Sequence, residues 1–174
     1  MDADAITIRP LAPTDSLDEL TELLHRAYAA LAERGMRYTA SHQSVEVTQR
    51  RIARGECFVA ECAGRLVGTI LVVPPDRAPG REDPALYGEP DVAHFHQFGI
   101  EPELRASGLG SRLLARVEER ARELGALRVA CDTSEHAHDL IAWYGRRGYE
   151  IVGRADWRPH VNYESVLLAK RLPV

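Results

Sequence analysis

The sequence predicts a single α/β domain of the α+β kind, with a mixed central sheet of about six to seven strands flanked by helices. Two observations carry this. The second half of the chain alternates strand, helix, strand, helix, which argues for a parallel or mixed sheet with helices packed on it. The first half offers a short strand, two helical stretches and a hairpin, and no internal repeat, linker or low-complexity tract separates the halves. The 174 residues are 45% hydrophobic and 28% charged, ordinary values for a globular protein. At this length a chain buries about 70% of the surface it exposes when unfolded, enough for a core with a cleft. One domain over residues 1–174 is expected, with a proline-rich loop at 74–90.

Residues 7–11 alternate weakly and read as an opening strand. Asp15 or Thr14 can cap a helix whose apolar positions Leu17, Leu20, Leu23, Leu24, Ala27 and Leu31 follow helical spacing. That helix should stop at Gly35. A weaker helical stretch at 45–54 is closed by Gly55. The runs CFVAEC and LVGTILVV, separated by Ala63, Gly64 and Arg65, read as a β-hairpin. Residues 74–90 hold five prolines and two glycines, so this stretch is a loop, either a surface insertion or a lid on the substrate side. AHFHQFGI is a strand, EPELRASG a turn, and 109–125 a long helix with Leu109, Leu113, Leu114, Val117, Ala121 and Leu124 on one face. LRVACDT is a short buried strand and 139–147 a helix ended by Gly148. YEIVGRA and NYESVLLAKRL are closing strands.

Charge and composition exclude several roles. The formal charge is −4 and no block of five or six like charges occurs, which disfavours binding to nucleic acid. The longest apolar stretch, within 66–73, is too short for a membrane span, and the acidic start lacks the features of an export signal. Three cysteines, Cys57, Cys62 and Cys131, stand in no metal-ligand or disulfide spacing. They read as reduced core thiols, and a cytoplasmic location is expected.

The sharpest local feature is the run Arg105, Ala106, Ser107, Gly108, Leu109, Gly110 between a strand and the start of the long helix. A helix start leaves backbone N–H groups unpaired and carries the positive end of the helix dipole, so phosphate oxygens are favoured there. Glycines at 108 and 110 remove the Cβ atoms that would hold a diphosphate away from those amides. Ser107 or Ser111 offers a hydroxyl and Arg105 a charge. Two glycines at a helix start fit a plain structural turn as well. The phosphate loops GxxxxGK[ST] and GxGxxG are both absent.

With a strand before it and a helix after it, this run resembles the R/Q-x-x-G-x-G/A acetyl-CoA motif of the GNAT superfamily of N-acetyltransferases. Tyr144, followed four residues later by Gly148 and Tyr149, resembles the second signature of that superfamily, and most of the chain runs in the same order. One departure is Ala137, where family members often carry an asparagine. The resemblance implies an acetyl-CoA-dependent N-acetyltransferase that transfers acetyl directly to an amine, that of a small molecule. It implies that Phe98, Gly99 and Ile100 pair with the pantetheine arm, with the Phe98 amide facing the thioester oxygen. Amides of Arg105, Ala106, Ser107, Gly108, Leu109, Gly110 and Ser111 would hold the pyrophosphate. Tyr144 would protonate the departing thiolate, since a phenol of pKa about 10 is protonated at neutral pH. A homodimer is also compatible, because family members often dimerise.

On a strand, residues two apart share a face, so His94 and His96 lie together, continued by Phe98 unless a bulge intervenes. Imidazole can take a proton from an ammonium at physiological pH. The strand resembles the paired-histidine strand of arylalkylamine N-acetyltransferases, which implies His94 and His96 as base. A structural role in the sheet and metal ligation are the competing readings for the pair, and without recognisable carboxylate ligands no metal is assigned. Candidates around the acceptor are residues 34–48, Tyr87, Asp91, Trp157, His160 and Tyr163, the last three either lining a pocket or packing a hairpin. A buried Cys131 argues against an acyl-enzyme. The alternative to an enzyme is a non-catalytic acyl-CoA-binding or regulatory module.

Overall fold

A computed structural model describes residues 6–75 and 83–173. Its seven strands are β1 (Thr7–Pro10), β2 (Glu56–Cys62), β3 (Arg65–Val73), β4 (Val92–Ile100), β5 (Arg128–Ser134), β6 (Glu150–Asp156) and β7 (Glu164–Arg171). They form one sheet in the order β1-β2-β3-β4-β5-β7-β6. All neighbours are antiparallel except β4 and β5. Four helices flank it: α1 (Leu17–Glu33), α2 (Val45–Ile52), α3 (Leu109–Glu123) and α4 (His138–Gly145).

Each helix forms where its apolar spacing allows it to cover a face of the sheet. The side chains Leu20 and Leu23 of α1 are fully buried against Val59, Leu71 and Val73, at about 2 kcal/mol each. On the opposite face Leu109, Leu113, Leu114, Val117 and Ala121 of α3 pack on Phe58, Ile70, Phe95 and Val129. α4 joins that side through Tyr144, Leu140, Ile141 and Trp143. The turn between β2 and β3 has Ala63 at φ 51° and Gly64 at φ 77°, the left-handed pair of a tight hairpin.

Two local expectations change. Ser16, not Asp15 or Thr14, caps α1 by accepting from the Glu19 amide at 3.2 Å. Asp15 instead accepts from the Ala12 amide and pairs with Arg9 at 2.7 Å, which also reaches Glu61. Within the described part of the proline-rich stretch a short 3-10 turn, Ala85–Gly88, buries Tyr87; residues 76–82 of the expected loop lie outside the described residues.

Tyr87 stacks flat on His94 of β4, with ring centroids 4.1 Å apart. His94 is 1% exposed and neither ring nitrogen has a hydrogen-bond partner among the described residues; burial pushes its pKa down from 6.5 to about 4. Near the end of β4, Glu101 is 3% exposed and takes a forked bond from Arg26 of α1, the shortest contact being 2.6 Å. This pair clamps α1 to the segment that leads into the glycine turn.

Arg26→Met leaves the buried Glu101 carboxylate with only the distant Arg65 at 3.9 Å, and the unfolding free energy in urea should fall by about 1–3 kcal/mol. The double variant with Glu101→Gln should lose less than the single one. The native state keeps His94 neutral while the unfolded chain protonates it near pH 6.5, so stability is complete above pH 6.5 and drains as pH falls toward 4. That loss should approach about 3 kcal/mol. Urea titrations across this range should show a flatter decline for His94→Phe.

Candidate active site

A cleft of about 860 Å³ passes through the sheet. It exists because the parallel pairing of β4 and β5 covers only Val92–His94 against Arg128–Ala130, after which the strands part. From Phe95 to Ile100 the edge of β4 that faces β5 carries no strand partner. The strand also bulges: Thr69 pairs with Gly99 and Leu71 with His96, so Gln97 and Phe98 together oppose Ile70 alone. Gln97 takes φ 50° to do so. The bulge turns Phe98 to the α3 face, where its ring meets Phe95 and Trp143, while His94 and His96 stay on the α1 face. The expected common face of His94, His96 and Phe98 is therefore broken by one extra residue.

On the α3 side the cleft is lined by the turn before α3. Gly108 sits at φ +85° and forms the N-cap without a side-chain bond, a conformation that costs other residues about 1–2 kcal/mol. A Cβ on Gly110 would stand 3.1 Å from Ile100 Cδ1 and 3.5 Å from Trp143. Among the described residues, the amides of Ala106, Gly108, Gly110 and Ser111 make no hydrogen bond. Four unsatisfied donors at the positive end of a fifteen-residue helix suit an anion such as a diphosphate.

The side chains expected to help divide into two groups. Arg105 lines the cleft but donates to the Ala27 carbonyl at 2.5 Å. Ser107 donates to the Leu104 carbonyl and accepts from the Leu109 amide, so its hydroxyl shapes the turn rather than facing the cleft, and Leu109 is buried in the core. Ser111 accepts from Arg147 Nη2 at 2.8 Å. Arg147, which sequence reasoning missed, sits over the Trp143 ring, its guanidinium carbon 3.6 Å from the ring centroid, and brings the positive charge that Arg105 directs elsewhere. Tyr144 reaches the middle of the cleft from the last turn of α4. Burial holds its phenol well above pKa 10. The Cys131 thiol, which also lines the cleft, is itself driven well above 9 by burial.

The α1 side is polar and aromatic. His96 lines it and His94 does not; burial drives the His96 pKa well below 6.5, helped by the neighbouring His94. Trp157, His160 and Tyr163 all line this half, as does Tyr38 from the stretch after α1, whereas Asp91 is held away by Arg128. Tyr28 donates to the Phe98 carbonyl at 3.0 Å, and Tyr38 shares a 2.8 Å bond with Thr133. Two further charges went unread. Asp132 of β5 accepts from Tyr87 at 2.9 Å and Trp157 at 3.1 Å, and burial raises its pKa above 3.8. Arg51 of α2 lines the same half, and burial lowers its pKa. Neither bears a motif; only the isolated Asp in the apolar LRVACDT run could have signalled it. Among the described residues no three His, Cys, Asp or Glu side chains converge as a metal site, and no helix is long and apolar enough to cross a membrane.

The acetyltransferase (GNAT) family model matches residues 17–149. The chain is 31% identical over 148 residues to S-(2-succino)cysteine N-acetyltransferase of Bacillus subtilis (strain 168), covering 84% of this chain and 86% of that protein. It is 28% identical over 144 residues to S-alkylcysteine N-acetyltransferase of the same organism, covering 81% and 77%. Among solved structures, a protein of Pyrococcus horikoshii OT3 superimposes with TM-score 0.75 at 20% identity, over 97% of this chain and 99% of that one. A GNAT family acetyltransferase of Elizabethkingia anophelis with acetyl-CoA bound superimposes with TM-score 0.68 at 16% identity, again over 97% and 99%. With a glycine turn, a parted sheet and a family match over most of its length, the chain belongs to the acetyltransferase (GNAT) family and is an acetyl-CoA-dependent N-acetyltransferase.

Proposed function

We propose that the protein moves an acetyl group directly onto the amine of a small molecule, both substrates being bound at once in the cleft. The carrying observation is the passage through the sheet between β4 and β5, which joins the unsatisfied amides of the glycine turn to an acceptor half lined by His96 and Asp132. The two Bacillus relatives act, by their names, on cysteine conjugates, which supports a small acceptor. They lend nothing to the likeness of the His94 and His96 strand to arylalkylamine enzymes.

Acetyl-CoA supplies an acetyl thioester. The turn at 105–111 would hold its diphosphate, with Arg147 adding charge, and the unpaired edge of Phe98, Gly99 and Ile100 would align the pantetheine arm. The Phe98 amide is assigned to the thioester oxygen, where negative charge grows as the amine attacks. Tyr144 is assigned as the acid: its raised pKa keeps the proton in place until charge develops on sulfur. The thiol of Cys131 is driven away from the thiolate by burial, which favours direct transfer over an acyl-enzyme.

The acceptor must shed a proton before it attacks. His96 takes this role from the expected pair, and Asp132 joins it, because His94 is sealed beneath Tyr87. Burial lowers one group and raises the other, drawing their proton affinities together so that a proton can pass between the substrate and this wall.

Tyr144→Phe should lower kcat about 100-fold with less than about threefold change in the KM for acetyl-CoA, measured as thiol release with an amine panel. An unchanged kcat removes Tyr144 from the acid role. The raised Asp132 pKa places the acid limb of the kcat/KM profile above the pH at which an ordinary aspartate titrates, activity being lost as pH falls through it. Asp132→Asn should lower kcat/KM and erase that limb; a limb that persists assigns it to another group.

A further inference from the structure

The acceptor half of the cleft holds two opposite charges, Asp132 and Arg51, which attract each other at a distance but form no ion pair among the described residues. Asp132 is engaged by Tyr87 and Trp157. Arg51 has no ion pair among the described residues, and its one hydrogen bond runs from Nη1 to Gln43 Oε1 at 3.1 Å. The neighbouring Arg54 differs, since Asp83 takes its charge. A guanidinium left without an anion in a half-buried wall is costly unless a ligand provides one.

Arg51 is also held from behind. Gln43, 3% exposed, donates to Thr48 Oγ1 at 2.6 Å and to Gln97 Oε1 at 2.7 Å, and Thr21 donates to Thr48 at 2.7 Å. This chain of bonds fixes the Gln43 carbonyl that Arg51 grips. Gln97, the bulge residue, is likewise 3% exposed and lines the cleft, and its Nε2 donor has no partner. Arg51 and Gln97 are thus two cleft-lining residues of one wall whose remaining donors have no acceptor among the described residues.

We infer that Arg51 and Gln97 form a carboxylate subsite, and that the acceptor is an amino acid or amino-acid conjugate presenting an amine and a carboxylate together. This rests on the acetyl-transfer reading and names its acceptor class. A planar carboxylate accepts two bonds from a guanidinium fork and leaves a lone pair for an amide. A phosphate dianion fits less well, because Asp132 faces the same space and would repel it. Asp132 stands as the negative pole for the ammonium end, so the pair matches a zwitterion.

The test uses S-ethylcysteine and its decarboxylated counterpart, S-ethylcysteamine, with wild type, Arg51→Met and Arg51→Lys. Wild type should favour S-ethylcysteine about 100-fold in kcat/KM, chiefly through KM, since unpaired buried donors reject a substrate that lacks their acceptor. Arg51→Met should erase that preference, the loss in kcat/KM falling mainly on S-ethylcysteine, and Arg51→Lys should keep part of it. Calorimetric binding of S-ethylcysteine to the CoA-loaded protein gives a readout apart from turnover, and it should be lost in Arg51→Met. Equal use of both amines by wild type overturns the subsite and leaves acetyl transfer standing. Equal losses on both amines in Arg51→Met make Arg51 structural and overturn it as well. Arg51-dependent binding without turnover of any amine supports the subsite and sinks the transfer reading. Absence of both binding and turnover with S-ethylcysteine overturns the subsite.

Discussion

Everything in the site depends on two parallel strands that stop pairing. β4 and β5 share hydrogen bonds over three residues and then diverge, leaving backbone groups of β4 that a sheet interior would normally satisfy. A gap of this kind is tolerable only if something polar fills it, and the cleft is the result. The bulge at Gln97 works with the gap, for it directs Phe98 toward α3 and keeps His96 and Gln97 on the side of α1. One extra residue thus turns neighbouring side chains of the same strand to opposite faces of the sheet, the division on which the proposed places of cofactor arm and acceptor rest.

The two halves of the cleft solve different electrostatic problems. On the α3 side the fold offers dipoles and unbonded amides, which hold an anion without titrating. On the α1 side it offers groups whose proton affinity burial has shifted: a histidine pushed down, an aspartate pushed up and an arginine lacking a counter-charge. Tyr144 stands between them with its proton retained. The segments that hold this wall come from far apart in the chain, and ties such as Arg26 to Glu101 and Tyr28 to the Phe98 carbonyl keep α1 registered on β4. Function and stability are coupled there, since a carboxylate 3% exposed and held by an arginine sits one residue beyond the strand that lines the cleft.

Most elements were legible because their physics is local. Helical spacing from Leu17 to Leu31, glycines at 35 and 55, and the Ala63 and Gly64 turn are each written in a few neighbouring residues, and the strand at 92–100 and the helix from 109 likewise. The small misses were also local: Ser16 rather than Asp15 caps α1, because Asp15 is drawn off by Arg9, a partner that became its neighbour only when the chain turned. The glycine turn was legible for the same reason, since φ +85° at Gly108 demands a residue type. The hydroxyl of Ser107 was misread because its nearest acceptor is the backbone of its own turn.

The sequence by itself determined the fold class, the strand and helix order, the anion-ready turn and the tyrosine at the end of α4, all of which follow from side-chain periodicity and backbone preference over short spans. Only the tertiary structure decided which histidine reaches the cleft, because the stacking of Tyr87 on His94 joins residues seven apart through a loop whose course no pattern dictates. It alone brought Asp132, Arg51 and Gln97 to one wall, for burial and charge pairing depend on partners dozens of residues distant. Those long-range terms set proton affinities and leave a charge unanswered, and for that reason the chemistry of the acceptor lay beyond the reach of the sequence alone.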